Sequence, residues 1–242
     1  MSPEPRLVLT SEHGTAAVPA RYAGLFRGAD EVLSSHRAVD PGTAELTGYL
    51  ARRTGVRPHR ARVTRLLVDC NRSPGHPGRF SEFSRTLPAA EREQLLERYY
   101  RPYREAVEAD VARAIDTGHT ALHVSVHSFA RVLDGRERNA DVGLLYDPGR
   151  EREVALCGQW QSLLQTEPGL RVRRNYPYRG VADGLVTRLR RRFPAGCYVG
   201  IELEVCQDIA AAGGRRWGRI KGLLGDSLKA VMASACSASA RT

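Results

Sequence analysis

The chain has almost no lysine: of its 37 basic residues 35 are arginine, and against 27 acidic residues they leave a net charge of +10 over 242 positions. These arginines are dispersed along expected helices, and only RLRRRF at 188–193 is dense. A nucleic-acid-binding face needs a concentrated basic patch with interleaved aromatics, so a nucleic-acid partner is the weaker reading; a small anionic substrate would use the same positive field. No run approaches the roughly 20 apolar residues of a membrane span, which excludes a spanning helix. The opening MSPEPRLVLT lacks the basic-then-apolar order of a secretory signal, so the expected location is the cytoplasm. Cysteine is sparse and scattered, at positions 70, 157, 197, 206 and 236, with no CxxC pair. An odd, dispersed set argues against a disulfide framework and a cysteine zinc site, and predicts reduced thiols. With 42% hydrophobic residues, a core can form without such staples.

What is present is an alternation of short β-branched runs and longer stretches with helical spacing. Strands are predicted at 6–14, 62–73, 121–129, 140–147 and 197–208. Helices are predicted at 40–55, at 89–116 with an interruption at Pro102, and at 150–165, 183–193 and 214–235. SPGHPGRF and VRRNYPYRGVADG read as loops. With no internal repeat or linker, the expected architecture is α/β, one domain over 1–242 with a mixed, mostly parallel central sheet flanked by helices.

Four predicted strands finish on residues capable of chemistry: Glu12 and His13, then Asp69, Asn71 and Arg72, then His127, then Glu202 and Glu204. Ligand crevices of open α/β sheets lie outside the carboxyl ends of the strands, so these groups are expected to converge. Two histidines and a carboxylate from different strand ends are the inventory of a catalytic zinc site. Zinc lowers the pKa of a bound water, and Glu204 is the candidate general base; Arg72 suits bidentate grip of a substrate carboxylate, with Asn71 adding a hydrogen bond. Each group has a plainer reading. His127 alone could be a hydrogen-bonded core residue, Asp69 and Arg72 a loop-tying ion pair, and Glu202 with Glu204 a solvated strand face. His123, deeper in the same strand, is read as structural.

Taken together, LVLTSEHGTAAVP, HRAVDPGTAELTGYLA, RLLVDCNRSP, HVSVHSF, DVGLLYD, NYPYRGVADG and GIELEVCQD resemble the N-formylglutamate amidohydrolases, a family related in fold to the zinc carboxypeptidases and hence of zinc-exopeptidase type. The resemblance implies a metal, expected to be Zn2+ or another divalent transition metal, held by His13 and His127. It implies recognition of a substrate carboxylate by Asn71 and Arg72, Glu204 as base and Tyr178 as a further contact. Such an enzyme hydrolyses the amide of an N-formyl amino acid. Its rivals are a peptidase or deacylase of the same fold acting on a larger molecule, and a non-catalytic arginine-rich nucleic-acid-binding protein. Zinc carboxypeptidases carry a glutamate three residues after the first histidine, where this chain has Ala16. Asp40 is the substitute third ligand, Glu12 the alternative, and a helix N-cap the plainer role for Asp40. Cys206 replaces an arginine common among these relatives.

Overall fold

The computed structural model describes residues 5–237. Elements follow in the order β1 (Pro5–Ser11), α1 (Asp30–Leu33), α2 (Thr43–Thr54), β2 (His59–Arg60), α3 (Ala89–Leu95) and α4 (Arg101–Asp116). Then come β3 (Thr120–Phe129), a hairpin of β4 (Val132–Leu133) and β5 (Arg136–Glu137), β6 (Val142–Leu145), α5 (Glu151–Leu164) and β7 (Val172–Arg174). The chain continues through α6 (Leu185–Arg192), β8 (Tyr198–Cys206), α7 (Gln207–Ala212) and α8 (Gly214–Ser237). The main sheet has the order β2-β1-β3-β8-β6-β7. Every neighbouring pair runs parallel except β6 against β8.

Both faces are covered, which is why the strands read as nearly continuous apolar runs. Leu7, Leu9, Leu122, Val124, Val126, Ile201 and Leu203 pack against α2, α5 and α8, with Leu46, Trp160 and Leu224 at the contact. The alternate positions Val8, Ala121 and Tyr198 meet α4 and α6 through Val107, Val111 and Leu189. Buried Glu153 on α5 and Arg190 on α6 pair at 3.0 Å. Arg190 also donates to the carbonyls of Gly180 and Gly200, and Glu153 accepts from the Gly200 and Asp147 amides. Two helices, a strand and the loop after β7 are thereby tied at one point.

Two expectations change. The stretch 62–73 is not a strand but a succession of buried turns. Side chains there outcompete a ladder: Thr64 Oγ1 donates to Ala38 O and accepts from the Leu66 amide, and Asp69 Oδ1 accepts from the Asn71 amide. Only His59 and Arg60 pair with β1, at Thr10 and Ser11. At Pro102, the chain stays helical instead of breaking. It widens into a π turn at Leu96–Tyr100 just before the proline, and this looser ladder accommodates a residue without an N–H inside the helix. Cys70, Cys157, Cys197 and Cys206 are free thiols, while the side chain of Cys236 lies outside the described residues. No helix among the described residues is long and apolar enough to cross a membrane.

Candidate active site

Strand alternation sorts the chemistry. On β3 the side chains of His123, Ser125 and His127 share the face opposite to Val124 and Val126, and on β8 Glu202 and Glu204 share the face opposite to Ile201 and Leu203. The parallel register sets Ser125 beside Glu202 and His127 beside Glu204. Glu12 and His13, just past β1, meet the carboxyl end of β3.

At that end His13 and His127 both aim Nδ1 at one oxygen of Asp40, Oδ2, at 3.4 and 3.0 Å. One ligand atom from each of the three residues lies within 4.8 Å of the others, and all three residues are buried. Each imidazole is braced from behind at Nε2. Asp69 Oδ1 holds His13 at 2.8 Å, and Glu12 Oε2 lies 3.1 Å from His127. Ser125 Oγ sits between the last two, 2.9 Å from the His127 nitrogen, and Tyr103 donates to the other Glu12 oxygen at 2.7 Å. Carboxylates behind two histidines fix ring orientation and raise ligand basicity, as outer partners do around a metal. The His13 Nδ1 atom is buried without a hydrogen-bond partner, so the donor set has room for a cation.

Electrostatics follow from burial and these contacts. Burial would raise the Asp40 and Asp69 carboxyls, but His13, joined by His127 at Asp40 and by Arg65 at both, outweighs it and holds both below the usual range. Burial would lower His127, yet hydrogen bonds to Asp40 and Glu12 hold it well above 6.5. Glu204 is pushed up to about 8, chiefly by burial and further by Asp40 and Glu202, and its Oε2 is buried without a partner.

A pocket of about 260 Å³ opens over these groups, walled by Asn71, Arg72, Tyr178, Glu202, Glu204 and Arg138 among others. Asn71 Oδ1 accepts the Leu185 amide at 2.7 Å, which leaves the Nδ2 donors for the pocket. Arg72 donates to Asp183 O at 3.2 Å and is one-third exposed, so its guanidinium retains free donors. Tyr178 rides on a loop closed by Asn175, whose Oδ1 accepts the Tyr146 and Gly180 amides. Arg138 covers the Tyr178 ring at 4.8 Å and donates to its hydroxyl at 2.9 Å. Gly143 on β6 is obligatory for that closure: a Cβ there would lie 2.2 Å from Tyr176 O.

The structure brings His13, Asp40, His127, Asn71, Arg72, Tyr178 and Glu204 around one pocket. Glu12 lies behind His127, its oxygens taken by Tyr103, Ser125 and His127. Asp40 does not cap α2. The cap is Gly42 at φ 83°, where a Cβ would strike Ala210 at 2.4 Å, and the Asp40 amide instead bonds His13 O at 2.9 Å. Asp69 serves His13 more closely than Arg72, which stands 3.8 Å away. His123 is structural, held between Thr10 Oγ1 at 2.9 Å and Tyr198 OH at 2.8 Å. Ala16 packs in an apolar cluster, and Cys206 is buried in the core while neighbouring Gln207 lines the pocket. Sequence reasoning missed Arg65, which bridges Asp40 and Asp69 at 3.3 Å each; its four-residue spacing from Asp69 was the one available signal.

The family model for N-formylglutamate amidohydrolase matches residues 5–210. The chain belongs to the N-formylglutamate amidohydrolase family. Family membership makes it a hydrolase of amide bonds. The amidohydrolase chain is also similar to a solved gene product of Agrobacterium tumefaciens, at 28% identity and a TM-score of 0.80, over 95% of this chain and 91% of that one. It shares its fold with N-formylglutamate amidohydrolase from Ralstonia eutropha JMP134, at 21% identity and a TM-score of 0.70, over 96% and 94% of the two chains. No curated protein matches this amidohydrolase by sequence.

Proposed function

We propose that the chain is a metal-dependent amidohydrolase that releases formate from a small N-formyl amino acid bearing a carboxylate, such as N-formyl-L-glutamate. The observation that carries the metal is the aim of two imidazole Nδ1 atoms at one Asp40 oxygen, each ring clamped at Nε2 by a carboxylate. His13, His127 and Asp40 would hold a divalent cation; two nitrogens and a carboxylate oxygen suit zinc, with manganese, iron or cobalt as substitutes. Such a cation supplies a Lewis acid for the amide carbonyl and eases deprotonation of water.

The protein's own groups do the rest. Arg72 and the Asn71 amide would anchor the substrate carboxylate, and Tyr178 would close the far wall. Glu204, its ionised form favoured by a cation held beside it, would take a proton from the attacking water. The water oxygen bonds to the formyl carbon, the C–N bond breaks, and Glu204 passes its proton to the leaving nitrogen. The pocket volume of about 260 Å³ favours a small substrate over the larger molecule of a peptidase or deacylase.

The test is a comparison of N-formyl-L-glutamate with N-acetylglutamate and a glutamyl dipeptide, alongside Glu204→Gln. Amide cleavage confined to the formyl substrate, and reduced by roughly 10²- to 10⁴-fold in the variant, is expected. Faster cleavage of the dipeptide would move the assignment to a peptidase, and full activity in Glu204→Gln would remove its role.

A further inference from the structure

Much of the excess positive charge sits away from the catalytic pocket. Four arginines line that pocket, Arg65, Arg72, Arg138 and Arg179, and the carboxyl groups of Asp40, Asp183, Glu202 and Glu204 lie among them. The imbalance is concentrated in a separate groove of about 850 Å³ on the sheet edge. Six arginines line it, Arg6, Arg57, Arg60, Arg62, Arg98 and Arg113, with Asp110 the single carboxylate.

The groove exists because β2 is so short. It pairs with β1 only at Thr10 and Ser11, and Pro58, which has no N–H, stands just before it. Below Thr10 no strand continues the sheet past β1, and the gap between β1, α4 and residues 55–62 stays open. Arg113 is paired with Asp110 at 2.9 Å, and the second Asp110 oxygen is taken by His59 at 2.9 Å. Arg6, Arg57, Arg62 and Arg98 are all exposed and form no ion pair with a carboxylate among the described residues, although Arg98 lies over the Tyr99 ring. Guanidinium groups gathered around one concavity repel one another, and an anion with several charges relieves that repulsion while offering bidentate acceptors.

We propose that this groove binds a small, multiply charged phosphate anion, of the size and charge of a triphosphate chain. Its volume lies in the range of small-ligand clefts. Its aromatics do not favour a nucleic-acid strand. Tyr103 is buried, and Tyr99 packs against the Tyr22, Phe26 and Tyr100 cluster with the Arg98 guanidinium over its ring at 5.8 Å, which disfavours base stacking on either.

Calorimetric titration of the full chain with inorganic triphosphate tests this. The expected result is a single site whose affinity falls as salt rises from roughly 50 to 200 mM. The doubly reversed variant Arg57→Glu with Arg62→Glu, both exposed positions, should lose at least about tenfold in affinity and keep its formate release. Arg72→Ala, in the other pocket, should leave triphosphate binding intact. Absence of binding at the lower salt, unchanged affinity in the double variant, or loss in Arg72→Ala would overturn the proposal. So would tighter binding of a single-stranded oligonucleotide through the same arginines, which would make the groove a nucleic-acid site.

Discussion

The rings of His13 and His127 meet edge to face, 5.0 Å between centroids and 62° between planes, although they stand 114 positions apart in the sequence. Asp40 joins them at the open side. Asp40→Ala should therefore purify with far less bound transition metal and lose most of its formate release. A chelator should lower the melting temperature of the wild type and leave that of Asp40→Ala unmoved, because only the former has a folded-state cation to lose. Equal metal content in the two proteins, read by elemental analysis, would count against the trio.

Asp69→Asn keeps the volume behind His13 and removes the charge. Metal affinity, measured by competition with a coloured chelator, should weaken by roughly 10- to 100-fold. Asp69 also anchors Arg65, so circular dichroism of the apo form should accompany the titration.

Arg72→Ala is expected to raise KM on carboxylate-bearing substrates, at a cost of about 2–5 kcal/mol in kcat/KM if the ion pair with substrate is desolvated. Unchanged steady-state kinetics would take the carboxylate away from Arg72.

His123 supplies a pH test of stability. Burial lowers its pKa from 6.5 to about 4, so in the fold it stays neutral while the unfolded chain takes up a proton. The unfolded state binds more protons throughout that window, so stability falls as pH drops from 6.5 toward about 4, by roughly 3 kcal/mol from this group. Urea unfolding across the window should show a shallower slope for His123→Gln than for the wild type. The same slope in both would mean other groups set it.

Removing one member of the buried Glu153–Arg190 pair strands the other charge. Arg190→Met should cost roughly 3–5 kcal/mol by urea unfolding, because Glu153 is fully buried. A loss below about 1 kcal/mol would show that water reaches the site.

Much of this architecture was legible in the sequence. The apolar run 121–129 matches Thr120–Phe129, the run 197–208 contains Tyr198–Cys206, and the alternation in HVSVH places both histidines on one face. The exception, 62–73, failed for a physical reason. Val63, Leu66, Leu67 and Val68 are buried as a strand's would be, but in a cluster with Tyr22, Phe26 and Tyr100, and their backbone follows turns held by Thr64 and Asp69. Periodicity reports burial and not which backbone achieves it. Within the site, residues at strand ends were visible, whereas Arg65 and Tyr103 act across 25 and 91 residues of sequence to reach Asp40 and Glu12, contacts that no local pattern encodes.

The pleat of β3 and β8 also bears on how this protein can change over evolution. Imidazoles, carboxylates and Ser125 all project to one side, and aliphatic side chains to the other. Inserting a single amino acid early in either segment would invert that assignment, driving the reactive groups into grease and the grease into the cleft. A change of length is therefore far more costly within these two strands than in the loops that connect them.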